Sequence, residues 1–176
     1  PVLPSIEDSS IDEDTYFNTQ LPLIDVDNEI LLYSFDAGEN SDNVQFIFSD
    51  NGALIIEPNE NWNGILDISI TADDESNSVV EEFILTVNSI NDTPSITSSP
   101  VTTALMNELY EYQVIVDDPD DIVFTYELNN APNGMEINSF GLITWIPEAT
   151  GVYEGIHLIA YDSFDEFSEQ SFTIDI

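Results

Sequence analysis

The sequence contains the same β-type pattern twice, and this repeat limits the folds available to it more than any other feature. Three motifs of the first half recur in the second half: residues 52–58 resemble 141–147, residues 70–74 resemble 159–163, and residues 83–87 resemble 172–176. Such self-similarity indicates two copies of one module, which we place at residues 1–93 and 94–176. Equivalent residues of the two copies lie 93 positions apart: Pro1 and Pro94, Asp25 and Asp118, Asp27 and Asp120, and Tyr33 and Tyr126.

Both copies alternate apolar and polar residues in short runs. Residues 31–36, 110–117 and 172–176 follow this period of two, which is typical of strands with one buried face. Turn signals such as Asp50-Asn51-Gly52, Asn63-Gly64 and Pro132-Asn133-Gly134 separate the runs, and no stretch has a clear helical period. We therefore predict an all-β chain with two small Greek-key β-sandwiches in line.

The charge of the chain excludes several functions. Its 176 residues include 36 acidic side chains and neither Lys nor Arg, while 42% of residues are hydrophobic, enough to build packed cores. Without basic side chains, binding to nucleic acid or to an anionic membrane is excluded. The absence of Cys removes disulfides and thiolate sites. No apolar run is long enough for a transmembrane helix, and a chain that opens with Pro1 is expected to be a piece of a longer protein.

Specific motifs link the two copies to known families. The second copy contains "YEYQVIVDDPDD", "APNGMEI", "GLITWIPEATGVY" and "QSFTIDI". Along nearly its whole length it resembles the immunoglobulin-like, dystroglycan-type cadherin-like repeat of bacterial surface proteins. The first copy, with "IDEDTYF", "PNENWNG", "ITADDESN" and "NSINDTP", resembles the bacterial cadherin-like tandem repeats. The resemblance implies two immunoglobulin/cadherin-like β-sandwiches in line, which serve as spacer or adhesion modules of a large secreted or surface-anchored bacterial protein. The expected partners are neighbouring repeats of the parent chain, with a cell-surface glycan or protein as a further candidate.

Calcium at the junction of the copies is the main implication of this resemblance. Mapped residue by residue, the second copy and the linker contribute Asn91, Asp92, Asp118, Asp120 and Asp162. The first copy would contribute Glu13, Glu57 and Glu60. A partial second site, facing a preceding module, would consist of Asp25, Asp27 and Asp74. The linker departs from the animal cadherin motif at Asn88 and Thr93, which removes ligands and favours one or two ions over three.

Elementary electrostatics supports the same prediction. Ca²⁺ takes six to eight oxygen ligands, and carboxylates drawn together without a basic side chain repel each other unless a cation neutralises them. The alternative is that "VDDPDD" and "IDVDN" are ordinary polar turns, because Asp and Asn favour turns. A solvated acidic surface explains most of the other carboxylates.

Catalysis finds little support, because the single His157 lies on the strand face opposite Leu158 and no nucleophile motif occurs. Calcium-dependent carbohydrate binding is the alternative function, with Trp62 or Tyr153 as the ring that stacks on a sugar. We instead expect Trp62 to close the end of a sandwich and Trp145 to lie in the core. The predicted chain is thus a monomeric, extracellular and non-enzymatic fragment.

Overall fold

Strands account for nearly all of the regular structure in the computed structural model, which describes residues 1–25 and 30–176. Within these residues one 3₁₀ segment, Gly38–Asn43, is the only helical element. The predicted all-β class is therefore confirmed. The chain divides into two compact units, a first unit of Pro1–Ile90 and a second unit of Asn91–Ile176, and each is described by itself.

The first unit is a sandwich of two sheets. A four-stranded sheet has the order β1-β7-β6-β3, and a three-stranded sheet has the order β2-β5-β4. Neighbouring strands are antiparallel except for β1 and β7, which are parallel. The strands are β1 (Ser9–Asp12), β2 (Phe17–Gln20), β3 (Leu32–Asp36), β4 (Val44–Phe48), β5 (Ala53–Pro58), β6 (Gly64–Asp73) and β7 (Ser78–Asn88).

Alternation along these strands creates the core of the first unit. In β6, Leu66, Ile68 and Ile70 are almost completely buried, whereas the residues between them face outward. Side chains from the second sheet, including Leu54 and Ile56, pack against them. Gly52 closes the predicted turn before β5 with a φ of 85°, and a Cβ at this position would collide with the Leu21 carbonyl.

The second unit is also built of strands, which form three small sheets. Their strand orders are β11-β14-β15, β12-β13-β9 and β10-β8, and all neighbours are antiparallel. The core includes Tyr110, Tyr112, Ile143, Trp145 and Ile156. The strands are β8 (Ser95–Ile96), β9 (Tyr110–Gln113), β10 (Val116–Asp117), β11 (Thr125–Asn129), β12 (Glu136–Ile137), β13 (Leu142–Trp145), β14 (Val152–Tyr161) and β15 (Phe167–Asp175).

Strand register fixes which acidic residues of the two units are equivalent. Tyr33 pairs with Ala72 in the first unit, and its counterpart Tyr126 pairs with Ala160 in the second. Both alanines are fully buried. Asp74 follows Ala72 by two residues, just as Asp162 follows Ala160, so these two aspartates are equivalent. A letter-by-letter match of residues 70–74 with 159–163 would pair Asp73 with Asp162, which is wrong by one residue.

Candidate cation site

Asp118 begins the first of two acidic loops in the second unit, directly after β10. Its Oδ1 atom accepts hydrogen bonds from the backbone amides of Asp120 and Asp121, each 2.8 Å long. This local closure is an Asx turn, in which the side chain replaces a backbone acceptor. The turn fixes the carboxylate through Oδ1 and leaves its other oxygen, Oδ2, outside these two hydrogen bonds.

Asp162 organises the second loop in the same way, directly after β14. Its Oδ1 accepts from the amides of Phe164 and Glu166, both at 2.8 Å, and only 5% of the residue is exposed. Burial raises the pKa of the Asp162 carboxyl, but hydrogen bonds from the Asn91 side chain and the two backbone amides outweigh it and hold the pKa below its usual value. Asp162 is therefore a buried carboxylate in its ionised form.

Hydrogen bonds join the two loops and the linker into one cluster. Asp121 Oδ2 accepts from the backbone amide of Ser163 at 3.0 Å and from its hydroxyl at 2.7 Å. The linker adds three contacts, so all five predicted residues of this unit lie together. These contacts are Asn91 Nδ2 to Asp162 Oδ2 at 2.8 Å, Asp92 N to Asp120 Oδ2 at 2.8 Å, and Thr93 Oγ1 to Glu166 Oε2 at 2.6 Å.

Two oxygen atoms in this cluster are buried and lack a hydrogen-bond partner among the described residues: Asn91 Oδ1 and Asp118 Oδ2. Native proteins pair most buried polar atoms, so such atoms require an explanation. Both are hard oxygen donors of the type that Ca²⁺ prefers. Within residues 1–25 and 30–176, however, no group of three or more His, Cys, Asp or Glu side chains could hold a metal. A cation would therefore depend on the Asn91 amide oxygen beside two carboxylates.

The predicted residues of the first unit do not form one cluster. Glu13 is 5% exposed, and its Oε1 accepts from the Ile90 amide at 2.6 Å, which ties the end of the unit to its first loop. Glu57 and Glu60 are exposed and line a cleft with Asp14 and Tyr16. Asp14, the residue after Glu13 in the "IDEDTYF" motif, lines this cleft and accepts a hydrogen bond from the Asn61 amide at 2.9 Å, and it was not among the predicted ligands.

A second acidic pair in the first unit surrounds the nitrogen of Pro1, which is an ammonium only in a chain that begins at this residue. The ammonium group of Pro1 contacts Asp25 Oδ2 and Asp74 Oδ2, each at 3.3 Å, and all three side chains are buried. Hydrogen bonds from the amides of Asn77 and Ser76, against the effect of burial, hold the pKa of Asp74 below its usual value. Burial lowers the pKa of the Pro1 ammonium, but the two aspartates outweigh it and raise that pKa. Asp27, the third predicted member, lies outside the described residues.

The residues considered for catalysis or for sugar binding lie on a strand face or pack against the core of their own unit. His157 lies on the outer face of β14, where its Nε2 is 3.2 Å from Glu169 Oε2, while the adjacent Leu158 is fully buried. Trp145 is 4% exposed, and the Tyr153 ring packs edge-on against it with a centroid separation of 4.8 Å. Trp62 packs against the core of the first unit. The expected core position of Trp145 and the outward direction of His157 are confirmed.

Comparison with known proteins identifies the fold and no sequence family. No family model matches the sequence, and no curated protein matches it. Among solved structures, Drosophila N-cadherin EC1-4 is 14% identical with a TM-score of 0.52, and the match covers 97% of this chain and 47% of that one. Human protocadherin-24 EC1-2 is 15% identical with a TM-score of 0.48, covering 99% and 98%. An endo-fucoidan hydrolase of glycoside hydrolase family 107 is 14% identical with a TM-score of 0.42, covering 97% and 27%.

The N-cadherin match concerns architecture. The chain spans about half the length of that N-cadherin fragment. At 14% identity the likeness shows a cadherin-like β-sandwich fold, in agreement with the predicted class. In the described part of the chain, no helix is both long and apolar enough to cross a membrane.

Proposed function

We propose that this chain is a pair of cadherin-like repeats from an extracellular protein, and that the two acidic loops of its second unit bind Ca²⁺. One observation carries the proposal: Asp118 Oδ2 and Asn91 Oδ1 are buried without hydrogen-bond partners, beside the buried carboxylate of Asp162. An ionised oxygen without a partner in such a place is costly. A divalent cation would supply the missing charge and ligands.

The chemistry of these side chains favours Ca²⁺ over other cations. Every donor is an oxygen, from carboxylates and an amide, whereas Zn²⁺ and Cu²⁺ prefer imidazole or thiolate ligands. The chain has no Cys, and its one His lies on the outer face of β14. Mg²⁺ demands a nearly ideal octahedron, while Ca²⁺ accepts irregular sets completed by water. Asn91, Asp118 and Asp162 would hold the ion, with Asp92 and Asp120 beside them.

Binding would order the segment that leads into the second unit. Asn91 and Asp92 belong to this segment and already contact the loops through Asp162 and Asp120. A cation held by Asn91 and the loop aspartates would add a stronger restraint to these hydrogen bonds. The sequence also assigns cation-ligand roles to two other groups, Glu13, Glu57 and Glu60, and Asp25, Asp27 and Asp74. These roles remain predictions.

The proposed role is mechanical rather than catalytic, as a spacer and adhesion module of a bacterial secreted or surface protein. The cadherin-like architecture supports it, as do the sequence motifs. A surface rich in carboxylates without Lys or Arg is highly soluble, which suits an exposed module. Carbohydrate binding is not proposed, because the rings of Trp62, Trp145 and Tyr153 all pack within their own units.

The test is a calcium titration of the whole chain, starting in chelator. We expect a Kd of about 10⁻⁴ to 10⁻³ M, as for other extracellular modules. A hundredfold excess over Kd should then stabilise the second unit by about 2.7 kcal/mol. The chain has two tryptophans, one in each unit, so the buried Trp145 in a Trp62→Phe background reports thermal unfolding of the second unit alone.

Two controls separate a site from general screening of charge. Asp118→Asn should remove most of the calcium response, whereas Asp117→Asn, which changes the same charge at an exposed neighbouring position, should retain it. NaCl at matched ionic strength measures screening alone. The proposal fails if NaCl reproduces the calcium effect, or if the two variants respond alike.

A further inference from the structure

An aliphatic groove crosses the surface of the second unit beside strands β9 and β13. Its floor is formed by Tyr110 and Trp145, which pair across the two strands and are each 4% exposed. Leu109 separates two shallow clefts and lines both of them. The exposed aliphatic residues of the groove are Val101, Leu105, Leu109 and Ile146, with exposed fractions of 45%, 64%, 59% and 54%.

The groove is held in place by specific contacts. The hydroxyl of Tyr110 donates to the Val101 carbonyl at 2.8 Å, which holds one wall. The amide of Asn107 donates to the carbonyl of the fully buried Pro147 at 2.8 Å, and Asn107 has a positive φ of 67°. Leu109, two residues after Asn107, lines one cleft with Ile146 and the other with Leu105. The apolar side chains are therefore fixed on a rigid framework and are exposed there, although hydrophobic burial favours covering them.

Carboxylates line the same clefts. Glu148 lines one cleft, and Glu108 and Glu111 line the other, and all three are exposed. A partner must therefore combine apolar side chains, one for each side of Leu109, with positive charges for the glutamates. The arrangement of an apolar centre with a charged rim is that of a protein interface.

Residues 1–176 cannot supply this partner. They contain neither Lys nor Arg, and a second copy would bring another net charge of −36 against the glutamates. Repulsion of this size opposes self-association. Nucleic acid and anionic lipid are opposed by the same charge. The two shallow clefts are divided by Leu109, whereas small-molecule sites enclose most of their ligand.

We propose that this groove binds a segment of another protein in which aliphatic side chains alternate with Lys or Arg. The aliphatic side chains fill the clefts on either side of Leu109. The basic side chains pair with Glu108, Glu111 and Glu148. This interaction is independent of Ca²⁺ and of the acidic loops, so the proposed cation site can fail without affecting it.

The test uses two synthetic peptides of equal length, one alternating Leu with Lys and the other alternating Ser with Lys. Binding at 0.15 M NaCl is measured by Trp145 fluorescence in a Trp62→Phe background and by amide chemical shifts of the whole chain. We expect the Leu peptide to bind at least about tenfold more tightly than the Ser peptide, because only it can fill the clefts. Shifts should concentrate at Leu105, Leu109 and Ile146.

Paired variants make the test specific. Leu109→Ser should weaken binding of the Leu peptide about tenfold. Its matched control, Phe140→Ser, removes an 83% exposed side chain near the opposite end of the β9 and β13 pair and should leave Kd unchanged. An unchanged Trp145 melting midpoint shows that Leu109→Ser still folds. Equal binding of both peptides, no effect of Leu109→Ser, or a dimer that this variant abolishes would each overturn the proposal.

Discussion

The two units carry equivalent pairs of aspartates but give them different partners. In the first unit, Oδ2 of Asp25 and Oδ2 of Asp74 both lie 3.3 Å from the Pro1 nitrogen. In the second unit, the Asn91 amide donates to Asp162 Oδ2, while Asp118 Oδ2 is buried without a hydrogen-bond partner among the described residues. In a chain that begins at Pro1, one positive charge therefore meets both carboxylates of the first pair, whereas a neutral amide meets one carboxylate of the second.

The common part of the two pairs is the loop that follows the buried alanine. Asp74 and Asp162 each accept two amide hydrogen bonds through Oδ1 from the residues after them. That arrangement occupies Oδ1 and leaves Oδ2 for another partner. The two pairs therefore differ in the group that meets Oδ2, and not in the turn that holds the aspartate.

The largest effect is expected when Pro1 is given the uncharged amide nitrogen that it would have in a longer chain. One glycine added before Pro1 converts its ammonium into a prolyl amide, which has neither charge nor N–H. Asp25 and Asp74 then face each other without a counterion, so the melting temperature of the first unit should fall by roughly 5 °C or more. Ca²⁺ should restore part of this loss, because the pair now resembles that of the second unit.

Amide hydrogen exchange can follow both units in the same molecule. Faster exchange is expected in β6 and β7, with β14 and β15 unchanged as the internal reference. A chain with the glycine added after Ile176 is the matched control. Unaltered exchange in β6 and β7 would show that the Pro1 ammonium contributes nothing to stability.

A smaller effect should follow from removing one charge in each unit. In chelator, Asp118→Asn should stabilise the second unit by about 1 kcal/mol or less, since Asn Oδ1 can still accept from Asp120 and Asp121 while the unpartnered charge disappears. Asp25→Asn should instead destabilise the first unit, because the Pro1 ammonium loses one of its two counterions. Urea unfolding of both variants measures the two signs. The same sign in both would remove the distinction between the units.

The smallest expected effect is the loss of stability in acid, where the two units should behave alike. The folded-state pKa values of Asp74 and Asp162 both lie below their usual 3.8. A carboxyl with a lowered pKa contributes stability above its unfolded pKa, and that contribution is lost as the pH falls through the folded value. Both units should therefore lose stability below about pH 4. Carboxyl carbon NMR titrations that gave either aspartate a pKa above 3.8 would contradict the prediction.

Local pattern was sufficient for the strands and their buried faces. Tyr110, Tyr112 and Val114 are buried between exposed neighbours, as their alternation predicted, and Phe172 and Ile174 behave in the same way. This success has a simple cause, because a strand that packs one face on a core must alternate at every step. The turns that contain glycine could also be predicted from the sequence, since few other residues adopt a positive φ.

The contacts between loops could not be read in this way. Asp121 bonds to Ser163, and Glu13 bonds to the Ile90 amide 77 residues later. Glu166 contacts Thr93 across a similar separation. Such contacts depend on where the ends of distant strands lie in the folded unit, so no spacing within the sequence predicts them.

The amino-acid sequence was sufficient to predict the repeat, the all-β class, the alternating cores and the acidic residues available for a cation. These features depend on composition and on periods of a few residues. The tertiary structure decided which oxygens of those residues are consumed by local turns and which remain. It also exposed an aliphatic groove beside β9. These outcomes depend on strand register and burial, which arise only when distant segments pack together.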